Sequence, residues 1–336
     1  MREPAFWYRP PSWMSRLLFP FGAIYGAITA QRMARKGAVA GIPVFCIGNY
    51  HVGGAGKTPT TLVLSKILHE MGEQPFVVSR GYGGRLEGPV RVSTDAHTAK
   101  DVGDEPLMMA SEVPVIVSRD RAAGALFARE QGASVILLDD GFQNPSLAKD
   151  ASLIVIDSGR GLGNAYVFPA GPLRAPLAPQ IARTDALIVV GEGRGADGVA
   201  QHLRAQGKVV LNATIRPDPV SVAALSGKRV LAFAGIGDPA RFFATLRKSG
   251  VNVVDTKSFD DHHPYTISDV ERLIADAQSK SLSLVTTEKD MARLRSDGNL
   301  ATRVGNATAF AVSLDFDETE TFRRFVAERL ARARGK

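Results

Sequence analysis

Cysteine is all but missing. Cys46 is the one thiol among 336 residues, which excludes an internal disulfide and a cysteine-built metal cluster. It lies in the apolar run Val44-Phe45-Cys46-Ile47, where a small buried residue is expected, and a reducing compartment fits. Also absent is an apolar stretch of the roughly 20 residues that cross a bilayer. The nearest approach, Leu17 to Ile28, is only 12 residues long. No internal repeat with a period of about 20–50 residues is visible, which excludes solenoids and propellers. Aromatics are sparse at 7%, yet 45% hydrophobic and 22% charged residues make a globular chain, not a disordered one. The length suits one large or two ordinary domains.

The charge is uneven. Residues 1–36 and 321–336 each carry a net +5 against +7 for the whole chain, so the middle is net −3. An acidic middle argues against nucleic acid as partner. The basic tail reads as a solvated terminal helix. The N-terminus differs, because it joins Phe6, Trp7, Tyr8 and Trp13 to the Leu17–Ile28 segment and to Arg32, Arg35 and Lys36. Ala27-Ile28-Thr29-Ala30 imitates a signal-peptide cleavage site, but the nucleotide motif below speaks against export. The expected arrangement is a helix in the bilayer interface, with aromatics at headgroup depth and arginines on anionic lipid. The alternative is an ordinary helix packed on the body.

Further along, short apolar runs alternate with helix-period segments. Expected strands are 43–47, 76–79, 115–118, 135–138, 153–156, 186–190 and 209–213, with helices over 58–71, 105–111, 119–131 and 198–206. Strands with little alternation are buried on both faces, and helical crossovers make the sheet mostly parallel, with helices on both faces. After a break at Ile215-Arg216-Pro217-Asp218-Pro219 the pattern restarts, with strands 229–234, 251–254, 282–286 and 309–312 and helices 239–248 and 267–278. The final helix lines up Phe322, Phe325, Val326 and Leu330 on one face. The expected organisation is an N-terminal segment 1–36, a nucleotide-binding domain 37–215 and a smaller α/β domain 220–336.

The strongest motif is Gly48-Asn49-Tyr50-His51-Val52-Gly53-Gly54-Ala55-Gly56-Lys57-Thr58, which follows a strand and opens a helix. Gly53, Gly54 and Gly56, with Ala55, let backbone N–H groups cradle phosphate oxygens; Lys57 reaches the outer phosphates and Thr58 can ligand Mg²⁺. His51 stands where the usual first glycine belongs. Val135-Ile136-Leu137-Leu138-Asp139-Asp140 is a strand ending in acids, where Asp139 can hold Mg²⁺. Gln143 follows at the edge of the site. The Ser79-Arg80-Gly81-Tyr82-Gly83-Gly84-Arg85 turn suits an anion or is a solvated hairpin. Asp104 caps a helix, or serves as a base or metal ligand. Two of the six histidines, His262 and His263, follow Asp260-Asp261; a metal pair there is not expected, but an Asp-assisted His is. Gly235-Ile236-Gly237-Asp238-Pro239 reads as a structural turn, and Lys289 in Thr286-Thr287-Glu288-Lys289-Asp290 is available to a ligand.

Taken in order, these segments, with Pro169-Ala170-Gly171-Pro172-Leu173-Arg174, resemble the tetraacyldisaccharide 4'-kinase family from end to end. The family's P-loop also has two glycines before Gly-Lys-Thr and none at the usual first position. The resemblance implies a P-loop NTPase-like α/β domain plus a second, smaller α/β domain, with Mg-ATP as cofactor. It implies a tetraacyldisaccharide 1-phosphate acceptor at the cytoplasmic face of the bacterial inner membrane. Carried onto this chain, it makes Lys57, Asp104 and His262 catalytic, with Asp104 activating the acceptor hydroxyl and His262 supporting it. Thr58 and Asp139 hold the metal, Lys289 joins the nucleotide site, and Asn49, Arg80, Gln143 and Arg174 meet the acceptor. Two departures stand out: Ala175 replaces the family's acid after Leu173-Arg174, and Asn144 replaces its histidine after Gln143. A monomer is expected. The rival function is a P-loop switch or chaperone ATPase without a lipid acceptor, which needs no acid–His pair.

Overall fold

The computed structural model describes residues 3–335, so Arg2 and Lys336 of the basic ends, and the outermost residues of the expected terminal segments, lie outside the described residues. Eight strands come first: β1 (Val44–Gly48), β2 (Pro75–Ser79), β3 (Val90–Arg91), β4 (Val115–Val117), β5 (Val135–Asp139), β6 (Ala151–Asp157), β7 (Ala186–Val190) and β8 (Val209–Pro217). A second unit holds β9 (Arg229–Ala234), β10 (Asn252–Ser258), β11 (Ser283–Thr287) and β12 (Thr308–Phe310). Then β13 (Val312–Phe316) returns to the first sheet.

The large sheet runs β13-β8-β7-β6-β1-β5-β2-β4-β3, parallel except for β13 and β3 at its two edges. Its central strands are buried along their whole length, which is why they read as unbroken apolar runs. Alternate side chains feed two cores. Phe45, Leu137 and Val155 face one helical layer; Val44, Cys46, Leu138 and Ile156 face the other. Cys46 is fully buried, as its surroundings suggest. The second sheet, β10-β9-β11-β12, is wholly parallel.

The last segment differs from the expected layout. The run over 309–312 splits at Ala311 into one strand for each sheet, and β8 extends to Pro217 to pair with β13. The final helix, Thr319–Arg334, therefore packs on the large unit, not the small one. The cause is the apolar face noted in the sequence: Phe322, Phe325, Val326 and Leu330 join the core that also holds Phe45 and Leu137, and Phe322 packs on Phe316 with ring centroids 4.6 Å apart. The small unit is thus inserted between two adjacent crossings, at Pro217 and Val312, which are register partners.

The N-terminal helix, Trp13–Met33, lies on the body through its small residues. Ser15, Gly22, Gly26 and Thr29 are buried, and a Cβ at Gly22 would sit 2.6 Å from the Val167 carbonyl oxygen. Trp13, Leu17, Phe21, Ile24 and Ile28, spaced three or four apart, point outward together and are each more than half exposed. No helix among the described residues is long and apolar enough to cross a membrane.

Because Phe322 is fully buried where the chain closes the large unit, Phe322→Ala should cost about 3–5 kcal/mol of stability. Urea unfolding should show the loss.

Candidate active site

All the inner parallel strands end at one edge, where ligands of α/β sheets collect. The loop after β1 is built on Gly53 and Gly56, with φ of +103° and +94°, a region that other residues enter only with strain. Gly56 caps the helix Lys57–Glu70, so the first free N–H groups of that helix face the loop. Asn49 braces the loop from inside, its Nδ2 donating to the Gly53 carbonyl at 2.9 Å. Gln143 Nε2 donates to the Asn49 carbonyl at 2.8 Å and to Gln180 Oε1 at 2.9 Å. The outer strand of the loop is tied to the Pro169–Arg174 segment, because Val52 N–H donates to the Pro172 carbonyl and Arg174 N–H to that of Tyr50, both at 2.9 Å. Asn49 and Gln143, expected to meet the acceptor, are instead engaged in shaping the loop. Asn49 is fully buried, and both amide hydrogens of Gln143 are used.

His51 fits where a glycine is usual because its ring turns into the body. It is fully buried, and Nδ1–H donates to the Val52 carbonyl at 2.8 Å. Burial depresses its pKa to about 4 against that hydrogen bond, with the charges of Lys57, Arg160 and Arg174 adding to the effect. The ring is therefore neutral near pH 7.

At the end of β5, Asp139 is buried and Ser79 Oγ donates to its Oδ2 at 3.3 Å. Its Oδ1 has no partner among the described residues. Burial raises its pKa strongly, and Glu105 and Asp140 add to that. Asp140 has φ +48° and turns the other way. Arg174 grips both its oxygens, at 2.7 and 3.1 Å, and Lys57 Nζ lies 3.8 Å off. Burial would raise the Asp140 carboxyl, but Lys57 and Arg174 bring it to about 2. Arg174, expected on the acceptor, is thus Asp140's partner. Ala175 beside it is buried in the core and supplies no acid of its own.

The second unit completes the edge. His262 Nδ1 lies 2.9 Å from Asp104 Oδ2, and Arg293 pairs with the same carboxylate. Lys289, expected at the nucleotide, pairs with Glu105. His262 is held at φ +57°, with its N–H donating to the Gly235 carbonyl at 3.0 Å, so the Gly235–Pro239 turn positions it. Burial alone would raise the Asp104 carboxyl; the hydrogen bond and charge of His262, then those of Arg293, hold it well below the usual carboxylate range. Asp104 does not cap its helix: Gly103 occupies the cap, and Asp104 is the first helical residue.

Thr58 is buried at the first turn of the loop's helix, and Arg80 is exposed beyond β2. Sequence reasoning missed Arg293 and Asp290. Their signal is a helical i,i+3 pair: Arg293 Nη1 is 2.9 Å from the fully buried Asp290, which also accepts from Gly235, Tyr265 and Thr287. Sequence reasoning also missed a cavity of about 1120 Å³ between the ends of β6, β7 and β8 and the helix Pro239–Lys248, lined among others by Ser158, Gly191 and Thr245. Arg241 bridges it to Asp157.

A model of the family described as tetraacyldisaccharide-1-P 4'-kinase matches residues 14–331. The chain is 62% identical over 336 residues to the tetraacyldisaccharide 4'-kinase of Rhodopseudomonas palustris (strain BisB18), covering 100% of this chain and 98% of that protein. It is 61% identical over 334 residues to the enzyme of the same description from Nitrobacter winogradskyi, covering 99% of each. The crystal structure of "apo" form LpxK from Aquifex aeolicus in complex with ATP is 25% identical, with a TM-score of 0.71, covering 94% of this chain and 99% of that one.

The Asp104–His262 contact carries a pH dependence. The hydrogen bond to Asp104 raises the His262 pKa against the effect of burial, and the charges of Asp104, Asp261 and Glu105 add to it. A raised folded pKa gives stability that is fully present below the unfolded value of about 6.5 and is lost as pH rises through the folded value. The urea midpoint of the wild type should therefore exceed that of His262→Gln at pH 6, and the gap should narrow by pH 9. A gap independent of pH would remove the charged pair from the stability of the fold.

Proposed function

The chain belongs to the tetraacyldisaccharide-1-P 4'-kinase family, and on that premise we propose that it transfers the γ-phosphate of ATP to the 4'-hydroxyl of a tetraacyldisaccharide 1-phosphate in lipid A biosynthesis. The observation that carries this reading is the Asp104–His262 pair, which two units bring to the edge that also holds Lys57 and Asp139. A nucleotide switch has no use for such a pair. A phosphoryl acceptor does, because a sugar hydroxyl is a weak nucleophile at neutral pH.

In this mechanism the P-loop N–H groups and Lys57 hold the ATP phosphates, and the adenosine lies in the cavity beyond β7. That cavity adjoins the loop, since a Cβ at Gly56 would be 3.5 Å from Val190. Asp139 Oδ1, which has no partner among the described residues, and the buried Thr58 fit a hard, oxygen-seeking cation such as Mg²⁺. When bound, that ion would neutralise charge on the transferring phosphate. Asp104 accepts the hydroxyl proton as the new O–P bond forms and the bond from the γ-phosphorus to the ADP oxygen breaks, with ADP leaving; the hydroxyl becomes acidic as that bond forms, so a low ordinary basicity suffices. Its negative charge is maintained, and its position fixed, by His262 and Arg293. Arg80, exposed above the site, meets the acceptor's phosphate or sugar. Lys289 holds Glu105 in place and could turn to phosphate if the two units part.

The acceptor lies in a membrane, and the outward face of the Trp13–Met33 helix supplies contact with it. Trp13, Leu17, Phe21, Ile24 and Ile28 enter the interface of the cytoplasmic leaflet, while the exposed Arg16, Arg32, Arg35 and Lys36 meet anionic headgroups. The enzyme is thereby peripheral or monotopic at the inner membrane.

Phosphate transfer from labelled ATP to the purified glycolipid tests the reaction directly. In that assay Asp104→Asn should lower kcat by about 10²–10⁴-fold with little change in ATP affinity, the typical value of a positioned proton acceptor. Near-normal turnover would remove Asp104 from the chemistry. Phe21→Gln combined with Ile24→Gln should release the protein from vesicles of phosphatidylethanolamine and phosphatidylglycerol and raise the KM for lipid more than that for ATP. Undiminished vesicle binding in a sedimentation assay would contradict the membrane role of this face.

A further inference from the structure

The N-terminal strap lays a carboxylate on the nucleotide loop. Ala5–Tyr8 form a short 3-10 turn anchored by Trp7, which is buried. Trp7 Nε1 donates to the Pro169 carbonyl at 3.1 Å, and the Trp7 carbonyl accepts from Asn164 N–H at 2.7 Å. This anchor folds Glu3 back over the P-loop. A Cβ at Gly53 would overlap Glu3 Oε1, so the carboxylate fits only because that position lacks a side chain. The other oxygen, Oε2, pairs with Arg160 and accepts from Tyr8 O–H at 2.7 Å.

Arg160 is built into the same corner. Its guanidinium stands 4.6 Å over the Tyr8 ring, and its Nη1 lies 3.7 Å from the Cβ position of Gly53. Its backbone N–H donates to Asp157 Oδ1 at 2.9 Å, which fixes the turn at the end of β6. Both partners are largely shielded, with 24% of the Arg160 and 19% of the Glu3 side chain exposed. Arg160 also lines the cavity beyond β7. A loop whose glycines and lysine suit anions thus meets an anion of its own chain, and the guanidinium next to it has that anion as counter-ion. A phosphate arriving at the loop would face repulsion from Glu3 and attraction to Arg160.

We propose that Glu3 is an internal competitor for phosphate at the P-loop mouth, and that Arg160, once released by Glu3, binds the incoming phosphate. The inference rests on the kinase reading above, which supplies two phosphate-bearing ligands, ATP and the acceptor. Displacing the strap is part of binding, and the apparent affinity falls by the fraction of molecules in which Glu3 is seated.

The test is titration of the full-length protein with a non-hydrolysable ATP analogue and Mg²⁺ by calorimetry, together with acceptor KM values, for the wild type, Glu3→Gln and Arg160→Gln. The amide of Glu3→Gln keeps the shape and can still accept from Tyr8, and a single cooperative urea transition with a wild-type circular dichroism spectrum verifies folding. If Glu3 is seated in about nine-tenths of the molecules, Glu3→Gln should lower the Kd roughly tenfold. Arg160→Gln should raise it. If the phosphate belongs to the acceptor, the same opposite shifts should occur in the acceptor KM instead, with the analogue Kd unchanged. Should Glu3→Gln leave both constants unchanged or weaken either, the strap is packing only and the proposal fails. Lys57→Ala is the separate control: if it binds the analogue as tightly as the wild type, the P-loop reading itself is at fault.

Discussion

Asp104 is only 5% exposed, and it stays charged because a different part of the chain brings two cations to it. An unpaired buried carboxylate would cost several kcal/mol. The large unit alone offers it no such partner among the described residues; His262 and Arg293 both come from the small one. This dependence explains much of the rest. The Gly235–Pro239 turn exists to hold His262 by its backbone. The buried Asp290 exists to set Arg293, the Gly235 N–H and Tyr265 in one rigid knot. Glu105 and Lys289 repeat the arrangement one residue along. The charge balance of this acid is therefore complete only where the two units meet.

The fold was legible because its inner strands are buried on both faces, and burial on both faces leaves an unmistakable apolar run. Val135–Asp139 and Ala186–Val190 are examples. The P-loop was legible for a similar reason: Gly53 and Gly56 must adopt positive φ, and few other residues can. The fate of the final helix was not legible. Its apolar face announces a helix that packs, but periodicity does not say on which unit, and a single break at Ala311 redirects it. Side-chain partners were hardest of all. Asn49, Gln143 and Arg174 are polar residues at a phosphate site, and residue type alone points them at ligand. Only the folded chain shows Asn49 and Gln143 bracing the loop and Arg174 holding Asp140.

The N-terminal helix inverts the usual pattern of a packed helix. Its glycines face the body and its large apolar side chains face out. Such a helix gains little from burial of side chains but comes within backbone distance of Val167 and Pro176. The close approach seats it on the body and leaves a contiguous apolar face exposed.

The return of β13 to the large sheet has a bearing on how the protein is made. A chain emerging from the ribosome presents β1 to β8 first and then the whole small unit, which closes its sheet with β12. That unit can complete itself while the large one still lacks an edge strand and its final helix. Until the last two dozen residues are free, the outer edge of β8 is unpaired and the core lacks Phe316, Phe322, Phe325, Val326 and Leu330, the condition in which nascent chains draw in chaperones or one another. The earliest-synthesised half of the molecule is therefore the last to become solvent-tight, and a premature stop within residues 312–334 would yield a well-formed small unit attached to a sticky, unfinished large one.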